Sequence, residues 1–275
     1  MIQDIYPHKL NNHFFPEKRP DEESIIIVVR ENDVLVKGDL FPQRKEVVTL
    51  DDKLTYLFSL DDDKNYFLYD VTNDAAASIP EGYEFVNIRA VRRSGTAKKY
   101  RVFVAYTALQ LARWYKDNAY CGRCGKKTYL DDKERAIRCG CGNIIYPRIV
   151  PAVIVGITNG DKILVTKYKT GFDHFALVAG FTEIGETLEE TVAREAMEET
   201  GLKVKNIRYY KSQPWGIVDD ILVGFYCDVD GDDTIRMDES ELKVAEWRAR
   251  EDIILQPDDY SLTNEMMTMF KEGKA

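Results

Sequence analysis

The sequence predicts an α+β protein in three parts: a β-rich domain over residues 1–100, a linking helix and four-cysteine segment over 101–148, and an α/β domain over 149–275. Three observations predict this arrangement. Short β-rich runs separated by turn residues fill the first hundred positions, four cysteines fall between positions 121 and 141, and a capped amphipathic helix follows position 187. A chain of 275 residues has room for about two packed cores.

The charge balance and the apolar runs exclude several classes of protein. The chain has 38 Lys+Arg and 47 Asp+Glu, a formal net charge of −9, which excludes a polycation that coats nucleic acid or acidic lipid. The longest strongly apolar run, residues 25–29, is far shorter than the ~20 residues of a membrane span. The first six residues contain no basic region followed by an apolar region. We therefore expect a cytoplasmic protein with no membrane partner.

The first hundred residues predict a mostly antiparallel β domain. Residues 24–29 and 33–37 form one pair of predicted strands, and 54–60 and 66–71 form another, with a polar turn between the last two. We find no chemical motif in this region, and no internal repeat along the chain. Apolar side chains at helical spacing then predict a helix over 102–117, which leads into the cysteines.

Four of the five cysteines lie in two close pairs. Cys121 and Cys124 flank two residues, Cys139 and Cys141 flank one, and 14 residues separate the pairs. Two such turns aim four thiolates at one point, which predicts a zinc ribbon with a structural Zn²⁺. The second turn is one residue short, and reduced free thiols are the alternative. The isolated Cys227 is expected to be a small buried hydrophobe.

The last 127 residues alternate strands with helices. Residues 149–157 and 162–168 predict a hairpin around the turn at 159–161. Later predicted strands lie at 206–211, 221–229 and 244–249, and a last helix lies over 262–270.

The helix after position 187 has clear ends and one apolar face. Thr187 and Glu190 stand at capping-box spacing, and Gly201 supplies the left-handed residue that ends a helix. The apolar face has members four residues apart, namely Leu188, Val192 and Ala196.

The other side of this helix concentrates acid. Glu195, Glu198 and Glu199 stand at i, i+3 and i+4, where like charges repel, and Arg194 is the only nearby base on the helix. A solvated acidic face is the plain alternative. A divalent cation explains the cluster better, and hard carboxylate ligands favour Mg²⁺ or Mn²⁺.

The segment from Gly180 to Leu202 resembles the Nudix hydrolase signature, Gly-x5-Glu-x7-Arg-Glu-U-x-Glu-Glu-x-Gly-U, at every specified position, with Ala196 as a small apolar residue. The resemblance implies an α/β/α sandwich with a mixed sheet, and hydrolysis of a nucleoside diphosphate linked to another group. It further implies metal and base roles for Glu195, Glu198 and Glu199, and a loop-to-helix brace formed by Glu186 and Arg194.

The order of the parts is similar to that of the NADH pyrophosphatase (NAD⁺ diphosphatase) subfamily of Nudix hydrolases. The chain also has that subfamily's Ser-Gln-Pro-Trp segment at 212–215. This resemblance implies hydrolysis of NAD(H) to nicotinamide mononucleotide and AMP, removal of NAD caps from RNA, and a homodimer. The subfamily usually continues Pro-Phe-Pro, whereas this chain continues with residues 216–219, Gly-Ile-Val-Asp.

The same resemblance implies further site residues. Ala179, through its carbonyl, and Glu241 match metal-holding positions. Phe181, Trp215 and Tyr146 are candidates for stacking on a flat ring, each contact contributing about 1 kcal/mol. The implied substrate-binding set is Glu134, Tyr146, Phe181, Ser212, Gln213, Pro214, Trp215, Gly216, Ile217, Val218, Asp219 and Thr263.

Two other functions stay open at this point. The altered 216–218 stretch keeps a Nudix hydrolase of ADP-ribose or dinucleoside polyphosphates as the alternative enzyme, and a non-catalytic nucleotide sensor is the alternative outside enzymes. Between Cys121 and Arg148 there are also more bases than acids, and this basic island would either steer an RNA tail or form an ordinary solvated ribbon surface. Its bases are Arg123, Lys126, Lys127, Lys133, Arg135, Arg138 and Arg148, and its acids are Asp131, Asp132 and Glu134.

Overall fold

The computed structural model describes residues 1–49, 51–74, 77–171 and 173–275. The chain divides into two compact units. The N-terminal unit comprises Gln3–Arg148 and Gly216–Asp219, and the C-terminal unit comprises Met1–Ile2, Ile149–Trp215 and Asp220–Ala275. Within the described ranges, no helix is both long enough and apolar enough to cross a bilayer.

The N-terminal unit contains a six-stranded sheet in the order β1-β4-β5-β2-β3-β6. Its neighbouring strands are antiparallel except β2 and β5, which are parallel, so the sheet is mixed rather than purely antiparallel. The strands are β1 (Leu10–Asn11), β2 (Ile25–Arg30), β3 (Asp33–Val36), β4 (Thr55–Leu60), β5 (Lys64–Asp70) and β6 (Glu84–Asn87).

Two helices follow this sheet, α1 (Ile88–Arg93) and α2 (Lys99–Asp117), and α2 packs against β2 and β5. The predicted apolar face of α2 is confirmed, because Phe103, Leu111 and Trp114 are buried. A separate apolar cluster includes Ile26, Phe67 and Tyr69 on the sheet. Apolar side chains of the sheet and of α2 therefore form the buried interior of this unit.

The four-cysteine segment forms a small antiparallel sheet in the order β7-β8-β9. Each strand has two residues: β7 (Tyr129–Leu130), β8 (Ile137–Arg138) and β9 (Ile144–Ile145). Strands this short bury little apolar surface, so the segment needs another source of stability.

The C-terminal unit contains a second mixed sheet in the order β13-β14-β10-β11-β15, with β12 also paired to β10. The β10 and β14 strands are parallel, and the other pairs are antiparallel. The strands are β10 (Val150–Asn159), β11 (Lys162–Tyr168), β12 (Val178–Phe181), β13 (Val204–Trp215), β14 (Asp220–Val229) and β15 (Leu242–Ala249).

One helix covers each face of this sheet. Successive strand residues point to opposite faces, so Val153 and Val155 pack with α3 (Leu188–Thr200), whereas Ala152 and Ile154 pack with α4 (Leu262–Lys271). The predicted apolar face of α3 is confirmed by Val192 and Ala196, which are fully buried. The result is the α/β/α sandwich that the sequence resemblance implies.

The two large sheets share one topology. The order β4-β5-β2-β3-β6 corresponds to β13-β14-β10-β11-β15, with the parallel pair at the same place and a helix after the last strand of each. The sequence prediction of no internal repeat is therefore wrong at the level of fold. No α-helix stands between β3 and β4 in the described residues, whereas α3 lies between the corresponding β11 and β13.

The strands and helices predicted from hydrophobic patterns are confirmed, with ends that move by a few residues. The predicted strand at 206–211 is longer, spanning Val204–Trp215. The pattern missed β1, β6, α1 and β12, which are short. Cys227 is fully buried as expected, and burial raises the pKa of its thiol to about 12.

Candidate active site

Helix α3 begins and ends as its sequence predicts. The Thr187 side chain accepts from the Glu190 amide, and the Glu190 carboxylate accepts from the Thr187 amide at 2.7 Å, which completes the capping box. At the other end Gly201 has φ 70°, and its N–H bonds to the Met197 carbonyl. These local contacts fix where the acidic residues of α3 lie.

Arg194 ties the loop before α3 to the helix itself. Its guanidinium contacts the Glu186 carboxylate, with Nε to Oε1 at 2.6 Å, and donates to the Phe181 carbonyl at 2.9 Å. The ion pair with Arg194, aided by a hydrogen bond from the Glu183 amide, lowers the pKa of Glu186 to about 2. Glu186 and Arg194 thus make the loop-to-helix contact expected of them.

Glu199 is the buried acid of the cluster. It is 4% exposed and accepts a hydrogen bond from the backbone N–H of Ala179 on β12. Its Oε2 atom is buried and has no hydrogen-bond partner among the described residues. A buried carboxylate oxygen without a partner is unfavourable unless another group satisfies it. A cation is the group that suits it chemically.

Neighbouring acids surround Glu199. Burial, together with the negative charges of Glu195 and Glu241, raises the pKa of Glu199 to about 8. Burial also raises the pKa of Glu195, although its ion pair with Arg194 acts in the opposite direction. Glu195, Glu199 and Glu241, which the sequence resemblance grouped, therefore lie close enough to influence one another electrostatically.

Tyr168 belongs to the same neighbourhood and was missed from sequence. It is the last residue of β11, and burial followed by the charges of Glu199 and Glu241 raises the pKa of its phenol. No motif in the sequence marks it, since a tyrosine at a strand end is ordinary.

Glu198 differs from the other two acids because its side chain is 60% exposed and bonds to Arg194 at 2.9 Å.

The acids do not converge as closely as the cysteines. Among the described residues, the cysteines are the one group of potential ligands whose atoms all lie within 4.8 Å of one another. The carboxylates of α3 nevertheless supply hard oxygen ligands, and one of these oxygens, Glu199 Oε2, is buried and has no hydrogen-bond partner among the described residues. This set of donor atoms fits a divalent cation.

Gly180 permits the close approach of β12 to α3. A Cβ atom at this position would lie 1.9 Å from Cδ of Glu195, so an alanine has to displace that carboxylate. We expect Gly180→Ala to reduce kcat by about 10²-fold, as a displacement of ~1 Å does at an active site. Steady-state kinetics on Gly180→Ala measures this. Gly122→Ala, whose Cβ meets nothing within 4 Å, is the control and should keep wild-type kcat.

The raised pKa of Glu199 makes stability depend on pH. An unfolded glutamate titrates near 4.5 and Glu199 near 8, so between these values the unfolded chain releases a proton that the folded chain keeps. Without added divalent cation, unfolding free energy should therefore fall as pH rises from about 4.5 to 8, by up to ~1.4 kcal/mol per pH unit from this group. Melting temperatures measured from pH 5 to 8.5 test this. The dependence of melting temperature on pH should be flatter in Glu199→Gln than in wild type, and the same dependence in both proteins would contradict the prediction.

The Ser-Gln-Pro-Trp segment lies at the end of β13. Gln213 is fully buried, and its amide donates to the Tyr260 carbonyl and accepts from the Leu262 amide, both at 2.7 Å. Its side chain thus holds the start of α4, which contains Thr263, beside the segment. A substrate contact by Gln213 would have to come from its backbone.

The other predicted contacts of the C-terminal unit vary in exposure. Phe181 is 53% exposed at the end of β12, which suits a stacking surface, whereas Trp215 is half-buried against the apolar cluster beneath α4. Ser212 and Pro214 are exposed on β13, and Thr263 is half-buried in the first turn of α4.

Two predicted contacts of the N-terminal unit meet on the ribbon. The Tyr146 hydroxyl donates to Glu134 at 3.0 Å, and this bond raises the pKa of Tyr146. Arg138 forms ion pairs with Asp131 and Glu134. Asp131 is buried, and the Arg138 contact lowers its pKa to about 2. Tyr146 itself is 56% exposed.

Residues 216–219, which depart from the subfamily pattern, are held by arginines. Asp219 has φ 67° and a side chain only 7% exposed, and its two oxygens contact Arg113 and Arg148, each at 2.5 Å. Arg113 also donates to the Gly216 carbonyl at 2.5 Å. A Cβ at Gly216 would lie 2.7 Å from the Tyr106 carbonyl oxygen, so this position requires glycine.

We expect the contacts of Arg113 and Arg148 with Asp219 to contribute to stability. Asp219→Asn keeps the backbone, because Asn tolerates the left-handed region, but removes the charge that both arginines contact. Unfolding free energy should fall by about 1–3 kcal/mol, between the values for exposed and buried ion pairs. Urea unfolding measures it. The exposed Asp62, also at positive φ, is the matched control, and an equal loss in Asp62→Asn contradicts the assignment.

The four ribbon cysteines form a compact group. The Sγ atoms of Cys121 and Cys141 are 3.8 Å apart and those of Cys124 and Cys139 are 3.4 Å apart, and all four lie within 4.8 Å of one another. Zn–S bonds of about 2.3 Å in a tetrahedron place the sulfurs roughly 3.8 Å apart. The shortened second turn therefore does not prevent four-sulfur coordination.

The C-terminal unit has a six-stranded mixed sheet between two helices, and one of these, the capped helix α3, carries the buried Glu199 carboxylate. These are the features of a Nudix-type domain. Family models match two regions: the NUDIX domain over residues 147–269, and the NADH pyrophosphatase-like rudimentary NUDIX domain over residues 23–114. The chain belongs to the Nudix family, in the group with an NADH pyrophosphatase-like N-terminal domain. The second match accounts for the shared topology of the two sheets.

Similar curated proteins carry one description. The chain is 41% identical over 158 residues to a protein of Escherichia coli O9:H4 (strain HS) described as "NAD-capped RNA hydrolase NudC", covering 56% of this chain and 60% of that protein. Proteins of Shigella boydii serotype 18 and Escherichia fergusonii with the same description match to the same extent. The aligned region thus spans about 60% of these relatives.

Solved structures of NUDIX hydrolases match part of this chain at lower identity. A NUDIX hydrolase from Nitrosomonas europaea is 22% identical with a TM-score of 0.48, covering 56% of this chain and 90% of that chain. An ADP-ribose pyrophosphatase from Streptococcus suis is 21% identical with a TM-score of 0.36, covering 45% of this chain and 90% of that chain.

Proposed function

We propose that this protein hydrolyses the pyrophosphate bond of NAD(H) to nicotinamide mononucleotide and AMP, and removes NAD caps from RNA by cutting the same bond. The observation that carries the proposal is the buried Oε2 atom of Glu199 on α3, which has no hydrogen-bond partner among the described residues and lies near the charges of Glu195 and Glu241. The choice of NAD(H) rests on the rudimentary domain at 23–114, the Ser-Gln-Pro-Trp segment and the relatives described as NAD-capped RNA hydrolases.

Each site residue has a proposed role. Glu195, Glu198, Glu199, Glu241 and the Ala179 carbonyl hold Mg²⁺ or Mn²⁺, which screens the pyrophosphate charge and makes a bound water more acidic. Either Glu198 or Glu199 accepts the proton of the attacking water. The ion pair of Arg194 with Glu186 holds the loop that precedes α3 against the helix. Phe181 and Trp215 contact a flat ring of the dinucleotide.

The remaining proposals concern structure and location. The four ribbon cysteines hold a structural Zn²⁺, and Glu134 and Tyr146 on the ribbon contact the substrate. The protein forms a homodimer in the cytoplasm, where thiols such as these remain reduced. Sedimentation equilibrium tests the dimer, and a monomeric mass contradicts it.

Product analysis tests the reaction. NADH, NAD⁺ and ADP-ribose are incubated in parallel with Mg²⁺ or Mn²⁺, and the products are separated and identified. The proposal predicts mononucleotide plus AMP from NADH, formed with a higher kcat/KM than the cleavage of ADP-ribose. Faster cleavage of ADP-ribose would keep the Nudix chemistry but contradict the NAD(H) assignment, and would point to the altered residues 216–218 as its cause. If the protein hydrolysed none of these three compounds and did not hydrolyse NAD-capped RNA either, the result would contradict an enzymatic role and favour nucleotide sensing.

A further inference from the structure

The turn of residues 216–218 contains no residue that fixes its own backbone. It reads Gly-Ile-Val, where the subfamily that the chain resembles usually has Pro-Phe-Pro. Proline locks φ at about −65°, whereas glycine has the greatest backbone freedom of any residue. A turn of this composition therefore needs contacts with other parts of the fold to become ordered.

Helix α2 provides such contacts at the start of the turn. Gly216 is buried, and its carbonyl accepts a hydrogen bond from the Arg113 guanidinium at 2.5 Å. The backbone at Gly216 also lies directly against α2. A Cβ atom there would lie 2.7 Å from the Tyr106 carbonyl oxygen and 3.2 Å from Oε1 of Gln110. Both the hydrogen bond and the close approach fix the position of Gly216 on the helix.

Asp219, which follows the turn, is held by the same arginine. Its φ is 67°, a conformation that is uncommon for residues other than glycine and that persists where surrounding contacts determine it. The Asp219 carboxylate contacts Arg113 through Oδ1 and Arg148 through Oδ2, each at 2.5 Å. The side chains of Arg113 and Asp219 are only 25% and 7% exposed, so salt screens their interaction little. One guanidinium thus contacts both ends of the turn.

The side chains in the middle of the turn face a different environment from its ends. Ile217 is half-buried and Val218 is 50% exposed, so neither is part of the buried core. The structure therefore combines a backbone that is fixed at both ends with aliphatic side chains that are open to a ligand. A binding surface that is ordered in advance does not lose affinity to its own ordering when the ligand arrives.

We infer that Arg113 is a positioning residue for substrate binding, because it holds both ends of the turn of residues 216–218 on α2 and so presents an ordered turn to the substrate. The inference rests on the proposed function in one respect, namely that this turn contacts the substrate. Arg113 lies within the rudimentary NUDIX domain matched over residues 23–114. A helix of that domain thereby contributes to binding, without itself supplying a cation ligand or a proton acceptor.

Steady-state kinetics on Arg113→Gln tests the inference. The substrate is whichever of NADH and ADP-ribose the wild type hydrolyses with the higher kcat/KM. A preference for ADP-ribose contradicts the NAD(H) assignment but leaves the test of Arg113 valid, so the two failures are distinguishable. The matched control is Lys116→Gln, which removes another ion-paired cation of α2, one that contacts Glu31 at 2.9 Å.

We expect Arg113→Gln to raise KM about tenfold, because substrate binding then has to order the turn, and to leave kcat within about twofold of wild type. Gly216→Ala displaces the turn from the Tyr106 carbonyl and should raise KM to a similar extent although Arg113 is intact. Both Arg113 contacts come from one nitrogen, Nη2, so the ammonium group of Arg113→Lys should restore them in part and give an intermediate KM. Lys116→Gln should keep the wild-type KM.

Amide hydrogen exchange of the peptide that contains residues 216–218 measures the order of the turn without substrate. Exchange should be faster than in wild type in Arg113→Gln and in Gly216→Ala, and unchanged in Lys116→Gln. If Arg113→Gln does not fold, Gly216→Ala and Arg113→Lys test the same contacts. A wild-type KM in the folded Arg113 and Gly216 variants, a loss confined to kcat, or an equal rise of KM in Lys116→Gln would overturn the inference.

Discussion

Replacing Glu199 by glutamine is expected to reduce kcat for NADH hydrolysis by roughly 10²- to 10⁴-fold, the range for loss of a group that acts in proton transfer or holds a catalytic cation. Glutamine preserves the size of this buried side chain but cannot carry negative charge. The Ala179 N–H still finds an oxygen to bond, so the fold of β12 and α3 should be retained. Stopped assays of AMP release over a Mg²⁺ or Mn²⁺ series measure the effect.

A matched variant separates the role of Glu199 from general acidity on the helix. Glu189 lies on the same helix, in its exposed first turn. Glu189→Gln changes the charge equally and should leave kcat within about twofold of wild type, because a surface substitution costs at most ~0.5 kcal/mol. Equal kcat values for Glu199→Gln and wild type, or a matching loss in Glu189→Gln, would contradict the proposed site.

Loss of one ribbon cysteine is expected to unfold the ribbon. The three ribbon strands have two residues each, so they cannot maintain the segment through apolar burial alone. Structural zinc contributes roughly 10–16 kcal/mol in small zinc-binding peptides, and that contribution requires the full ligand set. Cys139→Ser should therefore purify without zinc and become sensitive to trypsin between residues 118 and 148.

The fifth cysteine provides the control for this experiment. Cys227 is buried beneath α3 and is no member of the four-sulfur group, so Cys227→Ala should retain one zinc per chain and a protease-resistant ribbon. Metal content by mass spectrometry and a tryptic time course read out both variants. A full zinc complement in Cys139→Ser, or a resistant ribbon without zinc, would show that the metal does not maintain this segment.

Local patterns made helix α3 predictable in detail. The cap at Thr187, the left-handed end at Gly201 and the buried face are each determined by residues a few positions apart. Periodicity likewise predicted the long strands, because their apolar runs are buried whichever partner they pair with. The shared topology of the two sheets was not predictable in this way, since it depends on strand pairing and the described residues of the N-terminal unit contain no α-helix at the place of α3.

The parts of the site that were missed depend on distant residues. The contact between Arg113 and Asp219 joins positions 106 apart, and no local pattern reveals it. The need for glycine at position 180 follows from where Glu195 lies, although the resemblance already marked that glycine as part of the signature. The resemblance predicts a substrate contact for Gln213, and no local pattern reveals that its side-chain amide anchors the start of α4. Spacing predicted the site residues, whereas the contacts that their side chains make became visible only in the three-dimensional structure.

Binding of Mn²⁺, followed by electron paramagnetic resonance at pH 8.5, tests the central claim most directly. This claim is that the α3 carboxylates hold the divalent cation of a pyrophosphate hydrolase. At this pH Glu199 is largely ionised, since its pKa is about 8. The account predicts that wild type and Glu189→Gln remove Mn²⁺ from the free pool at one or more ions per chain, and that Glu199→Gln loses this binding. Equal Mn²⁺ binding by wild type and Glu199→Gln would contradict it.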